Sequence, residues 1–161
     1  MKRQKRIIFI ASSGGHLTQL LQLNSLFHRY NSFLITEKDK STSDLEDRFK
    51  GSIKLYYLPE TRKNNFVKYI FMNIYSMFLS IKYFVIINPD FIISTGAGIS
   101  VYISYLAKFF EKKIIFIETY AAIKGKSGAG KLIYPIANQF YVQWEFMKKL
   151  YPNAIFNGTL Y

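Results

Sequence analysis

Apolar residues along this chain fall into two rhythms. Short runs rich in β-branched and aromatic residues lie at 6–12, 32–36, 53–58, 91–94, 113–118, 139–142 and 154–156, and each reads as a strand. Between most of them apolar positions recur at helical spacing, which predicts helices over 15–29, 65–86, 98–110, 130–137 and 145–150. The polar stretch 38–52 predicts a loop or a ragged helix. Strand and helix in alternation predict βαβ units and one parallel, doubly wound sheet. The expected fold class is therefore α/β: a single Rossmann-like domain over residues 1–161, its sheet flanked by helices. Ligands of such sheets sit at the carboxyl ends of the strands, near the point where strand order reverses. Those ends read Ser12-Ser13-Gly14-Gly15-His16, Thr36-Glu37-Lys38, Thr95-Gly96-Ala97-Gly98 and Glu118-Thr119-Tyr120.

One predicted helix is too apolar for its place. From Phe66 to Ile87 there are two charges, Lys68 and Lys82. Roughly 20 apolar residues suffice to cross a bilayer. A crossing here would put the strands before and after it on opposite sides of the membrane, and one parallel sheet would not form. On a helical wheel Tyr69, Asn73, Ser76 and Ser80 share a narrow stripe, with the two lysines on the other side, one near each end. Lysines at the margins of an apolar face can snorkel. Two environments fit: a helix lying on a membrane surface, with Phe66, Lys68, Ile70, Phe71, Phe78 and Lys82 as the contact residues, or a helix buried against another chain.

The strand–glycine–helix junctions carry the candidate chemistry. At Ser12-Ser13-Gly14-Gly15-His16 the glycines permit close backbone approach, and the new helix aims free N–H groups at the loop. His16, in the first helical turn, can donate to a phosphate or a sugar hydroxyl. Thr95-Gly96-Ala97-Gly98 is a second such junction, and two on one sheet point to a shared cleft. Neither has the Gly-x-Gly-x-x-Gly spacing of a dinucleotide site. The stretch 125–131, Gly-Lys-Ser-Gly-Ala-Gly-Lys, is nearly a phosphate-binding P-loop, but Leu132 stands where the magnesium-binding hydroxyl belongs. It reads better as a basic loop. Glu118, a lone acid ending an apolar strand, can orient His16, bind a hydroxyl or cap a turn. The one tryptophan, Trp144, belongs either to the core or to a subunit surface.

Composition narrows the partners. The chain has 161 residues, 50% hydrophobic and 18% aromatic, with a formal charge of +12. Nucleic acid, an anionic membrane surface and phosphorylated substrates all suit that charge. No helix-turn-helix or RNP-type motif supports specific nucleic-acid binding. With no cysteine and two histidines, His16 and His28, disulfides and thiolate metal sites are excluded, and neither a metal nor a cofactor is expected.

The stretches IASSGGHLTQLLQL, STGAGISV, IFIETYA and ANQFYVQWEFMKKLYP occur in the order seen in bacterial capsule and exopolysaccharide glycosyltransferase subunits of the CpsF/PssD type. The chain resembles that family over residues 6–161, and through it the membrane-anchoring subunit of the dolichol-linked N-acetylglucosaminyltransferase. The resemblance implies the N-terminal half of a GT-B glycosyltransferase, facing the membrane and a lipid-pyrophosphate acceptor, with the UDP-sugar site on a separate catalytic chain. It implies acceptor or phosphate binding by Ser12, Ser13, Gly14, Gly15, His16, Thr95, Gly96, Ala97 and Gly98, and a catalytic part for His16 and Glu118. An arginine often found after the acidic motif is absent, its place taken by Ala121-Ala122. The implied role is an accessory subunit, an enhancer of a β-1,4-galactosyltransferase, at the cytoplasmic face of the cell membrane. The acceptor would be a sugar on undecaprenyl pyrophosphate. The chain starts just before its first strand, so attachment is expected to rest on the apolar helix and the basic surface. The rival readings are a self-sufficient UDP-sugar transferase and a nucleic-acid binder.

Overall fold

A computed structural model describes residues 3–60 and 66–161. Seven strands form one parallel sheet: β1 (Arg6–Ala11), β2 (Asn31–Lys38), β3 (Lys54–Pro59), β4 (Phe91–Gly96), β5 (Lys113–Ile117), β6 (Gln139–Val142) and β7 (Ile155–Phe156). Their order across the sheet is β3-β2-β1-β4-β5-β6-β7. The chain builds outward from β1 to β3, crosses back, and builds outward again from β4. The reversal falls between β1 and β4, so their carboxyl ends flank the crevice where this topology binds ligands. The doubly wound, Rossmann-like sheet expected from the strand–helix alternation is the one formed.

The helices are α1 (Gly15–Leu21), α2 (Leu45–Arg48), α3 (Phe66–Ile87), α4 (Gly98–Phe109) and α5 (Gly128–Ile133). Side chains alternate along β1: Ile7, Phe9 and Ala11 pack with Leu17, Leu20, Phe27 and Leu45, while Ile8 and Ile10 pack with Phe84, Ile99 and Ile103. Both faces are therefore dry, as a parallel sheet requires. Each such fully buried aliphatic side chain contributes about 1.5–3 kcal/mol of transfer free energy.

Boundaries differ from expectation where a polar side chain or a proline intervenes. The helix predicted over 15–29 stops at Leu21, because Asn24 Nδ2 donates to the Leu21 carbonyl at 2.8 Å and a 3-10 turn, Asn24–Leu26, follows. The helix predicted over 130–137 begins at Gly128, capped by Ser127 Oγ, which accepts from Gly130 N at 2.9 Å. It ends before Pro135, which has no N–H to continue the ladder. Residues 145–149 form a 3-10 turn rather than an α-helix. The polar 38–52 stretch holds a second 3-10 turn and the four-residue α2. Of the helix predicted from Asn65, that first residue lies outside the described residues.

α3 is inside out. Its small polar residues Ser76 and Ser80 are fully buried, and α4 answers with buried Ser100 and Ser104. Small side chains on both partners let two helices approach closely. Large residues of its earlier turns point away, Phe71 67% and Phe66 76% exposed, while Phe84 and Ile87 near its C-terminal end are buried in the core. Ile70, Phe78, Lys68 and Lys82 are exposed as well. α3 is the one described helix long and apolar enough to cross a membrane, yet β3 before it and β4 after it lie in the same sheet. It lies along the domain rather than leading away from it.

This arrangement reverses the usual cost of substitution. Ser76→Leu is expected to destabilise the fold by about 1–3 kcal/mol through overpacking. Phe71→Ser is expected to change stability by no more than about 0.5 kcal/mol. Urea unfolding of the two variants checks both.

Candidate functional site

The two glycine junctions are stitched together. His16 Nδ1 lies 2.9 Å from the Thr95 carbonyl, and Thr95 Oγ1 donates to the His16 carbonyl at 2.6 Å. Ser12 N donates to the Gly96 carbonyl at 3.2 Å. A carbonyl can only accept, so the His16 Nδ1 carries the proton, and in the neutral ring Nε2 is left with a lone pair. Gly96 makes this possible. Its φ of +105° lies where L-residues are strained, and a Cβ there would stand 3.0 Å from His16 Cε1 and Nδ1. The ring occupies the space that any other residue at 96 would fill.

Above the stitched junctions lies a cleft of about 550 Å³. Ser12 and His16 line it from the β1–α1 junction, and Ala97 and Gly98 from the start of α4. Tyr69 and Asn73 of α3 form one wall, and Ser127 and Gly128 of the loop before α5 another. The first turn of the twelve-residue α4 therefore opens onto it with its unsatisfied N–H groups. N–H groups at the α4 end suit the anionic part of a ligand, and the hydroxyls, His16 and Glu37 elsewhere in the lining suit a hydroxyl-bearing part. Ser13, Gly14, Gly15, Thr95 and Gly96 build the junctions beneath or beside this cleft. Gly14, at φ +81°, turns the chain from β1 into α1.

Glu118 does not meet the expectation that it orients His16. Thr95 takes that part. Glu118 is 1% exposed. Oε1 accepts from Thr119 N at 2.9 Å, and Oε2 accepts from Tyr151 OH at 2.6 Å and Ser127 N at 3.3 Å. Burial, and then the bond to Glu118, push the Tyr151 phenol above its ordinary pKa, so it remains a donor. Gly130 has no room for a side chain: a Cβ would collide with the same carboxyl group and come within 2.5 Å of the Tyr151 hydroxyl. The near-P-loop thus wraps a carboxyl group of its own chain. Lys126 lies 4.8 Å from the centre of the Tyr151 ring.

Three further residues were not singled out from sequence. Glu37 lines the cleft from the end of β2, and Ser13 N donates to its Oε2 at 3.3 Å. Gln19 is buried, donates to the Gly15 carbonyl and Thr119 Oγ1, and accepts from Tyr120 N and Gln143 Nε2. It ties α1 to the loop after β5. Asn73 was seen as part of a polar stripe, but its place on the cleft depends on how α3 packs. Only Glu37 carried a signal, its position at a strand end next to β1. Trp144 is half-buried and donates from Nε1 to the Tyr120 carbonyl at 2.8 Å, which binds it to that same loop. Among the described residues no group of three His, Cys, Asp or Glu side chains could hold a metal ion.

The same fold appears in the crystal structure of MurG from Acinetobacter baumannii, with a TM-score of 0.70 at 13% identity over 94% of this chain. This chain spans 43% of that one, and the likeness is to the Rossmann-like N-terminal domain of GT-B proteins. In sequence the chain is 27% identical to the mouse UDP-N-acetylglucosamine transferase subunit ALG14, covering 96% of this chain and 82% of the relative. It is 30% identical to the subunit of that name from Debaryomyces hansenii, covering 98% and 77%. Residues 7–160 match the family described as oligosaccharide biosynthesis protein Alg14 like. With the match running from the first strand to the last residues, this chain belongs to the Alg14-like family.

Proposed function

We propose that this chain is the acceptor-side, membrane-associating subunit of a split glycosyltransferase, and that a separate chain supplies the UDP-sugar site. The observation that supports this reading most directly is the cleft at the β1–β4 reversal. It sits on one GT-B-type Rossmann-like unit, in a family whose mouse and yeast members are named transferase subunits. The acceptor is a sugar on a lipid pyrophosphate. Ser12, Gly98 and the N-terminus of α4 hold its phosphates, and His16 holds the acceptor hydroxyl. Nε2, left with a lone pair by the Thr95 bond, takes the proton as that hydroxyl attacks the donor carbon and UDP departs. Glu37 sets the β2 side of the cleft.

The finer reading follows the resemblance to CpsF/PssD-type subunits: transfer of galactose in capsule or exopolysaccharide assembly, on undecaprenyl pyrophosphate, at the inner face of the cell membrane. The outward apolar residues of α3 and the +12 charge support attachment to an anionic surface, with Phe66, Lys68, Ile70, Phe71, Phe78 and Lys82 at the contact.

The split is tested by transfer from UDP-galactose to a glucosyl-pyrophosphoryl lipid by this chain, a candidate catalytic glycosyltransferase chain from the same source, and the mixture. Activity is expected to be weak in each and strong together. Full activity of this chain alone would establish the self-sufficient transferase instead.

In the mixture His16→Ala is expected to lower kcat by about 10²-fold or more. His16→Asn, whose amide can still donate to Thr95, is expected to fall as far. Recovery of activity in that variant would reduce His16 to positioning.

Tyr151→Phe leaves a buried acceptor short of a donor and is expected to cost about 1–3 kcal/mol of stability. The kcat of the folded fraction should stay near wild type. A loss of kcat without loss of stability would return Glu118 to the chemistry.

Flotation with phosphatidylglycerol vesicles checks the membrane contact. Phe71→Ser combined with Phe78→Ser is expected to reduce binding about tenfold or more. Salt should weaken binding of the wild type. Undiminished binding of the double variant would move the contact off α3.

A further inference from the structure

The apolar surface continues from the cleft. α3 and α4 both leave the same end of the sheet, so the seam between them starts at the cleft and runs down the outside of the domain. On α3, Tyr69 and Asn73 wall the cleft, and Met77 and Ile81 continue the row one and two turns further on. On α4, Val101 belongs to both cleft and seam, followed along the seam by Leu106 and Phe109. Tyr102 OH donates to Asn73 Oδ1 at 3.4 Å where the two spaces meet. The seam is an open groove of about 390 Å³.

From Val101 to Phe109 the seam is about 12 Å long at the rise of an α-helix. The seam is open along its outer side, where Tyr105 and Phe109 are exposed, so an apolar chain can enter it from a bilayer surface. The two spaces differ in chemistry. The cleft offers N–H groups, hydroxyls, an imidazole and the Glu37 carboxyl group, whereas the seam is walled by aliphatic and aromatic carbon. A ligand that fills both has a compact polar head and a single apolar tail.

We infer that the α3–α4 seam seats the first isoprene units of the lipid acceptor while its pyrophosphate and sugar occupy the cleft. This rests on the acceptor-side reading above. The seam holds the lipid in one register, so that the sugar hydroxyl meets His16, and the outer face of α3 keeps the seam at the bilayer surface from which the tail enters.

The test uses the full chain on phosphatidylglycerol vesicles with a benzophenone-bearing farnesyl pyrophosphate as photoprobe. Inorganic pyrophosphate, geranyl pyrophosphate, farnesyl pyrophosphate and farnesol are compared as competitors. Farnesyl pyrophosphate is expected to compete roughly tenfold or more better than pyrophosphate, as buried methylenes would give. Crosslinks should fall between residues 77 and 109. Met77→Trp, which fills the seam, is expected to cut that gain to about threefold or less with vesicle binding intact. Ile81→Ala, which widens the seam, should also reduce it and serves if the larger side chain disturbs folding. Comparing variants on the same vesicles cancels partitioning of the probe into lipid. A gain that is absent in the wild type, or that survives both variants, overturns the inference and leaves the seam to bulk lipid or a partner chain. Farnesol competing as well as farnesyl pyrophosphate, still sensitive to Met77→Trp, would uphold the seam and overturn the cleft as a pyrophosphate site, so the two readings fail separately.

Discussion

The reciprocal pair of hydrogen bonds between His16 and Thr95 is the constraint on which the site depends. It joins the ends of β1 and β4, the two strands between which the sheet reverses order. Each bond uses a backbone carbonyl of the other junction, so neither loop can shift alone. The same contact sets the imidazole tautomer, which decides which nitrogen is left for a ligand. It also explains Gly96, because the ring lies where a side chain at that position would be. A cleft built this way is held by main chain and is pre-organised before any ligand arrives.

A second constraint stands on the far side of the cleft. The Glu118 carboxyl group is enclosed by Thr119, Ser127, Tyr151 and the bare Cα of Gly130. Burying that group is costly unless every oxygen is satisfied, and here each oxygen has a donor. The loop before α5 is consequently shaped around a carboxyl group that belongs to the protein. What resembles a phosphate cradle in sequence is already filled. Gln19 extends the network back to α1, so the loop after β5 is tied to the helix that carries His16.

α3 shows how the outer surface follows from packing. Serines at its contact with α4 let the backbones close up, and the bulk of the helix is displaced outward. A soluble helix buries its apolar stripe and wets its polar one. Along the serine-lined contact the relation is inverted and Phe66, Phe71 and Phe78 face outward, while Phe84 and Ile87 at the far end still pack into the core.

Much of the fold was legible in the residues. Buried parallel strands are short and apolar, helices between them are periodic, and alternation of the two dictates a doubly wound sheet because right-handed crossovers permit little else. The two glycine junctions and the anomalous helix were visible for the same reason: each breaks a local rule. Helix ends were not legible, because side chains such as Asn24 and Ser127 decide them through single hydrogen bonds. The partners of His16 and Glu118 were not legible either. Both lie at strand ends, and pairing among strand ends depends on sheet order, which places β4 beside β1 across nearly eighty residues of chain. By itself the sequence determined the class of fold, the candidate loops and the surplus of apolar surface. Only the tertiary structure decided that Thr95 orients His16, that Glu118 is enclosed, that Glu37 and Asn73 line the cleft, and that α3 turns its serines inward. Those outcomes are set by contacts between distant segments, for which no local pattern carries a signal.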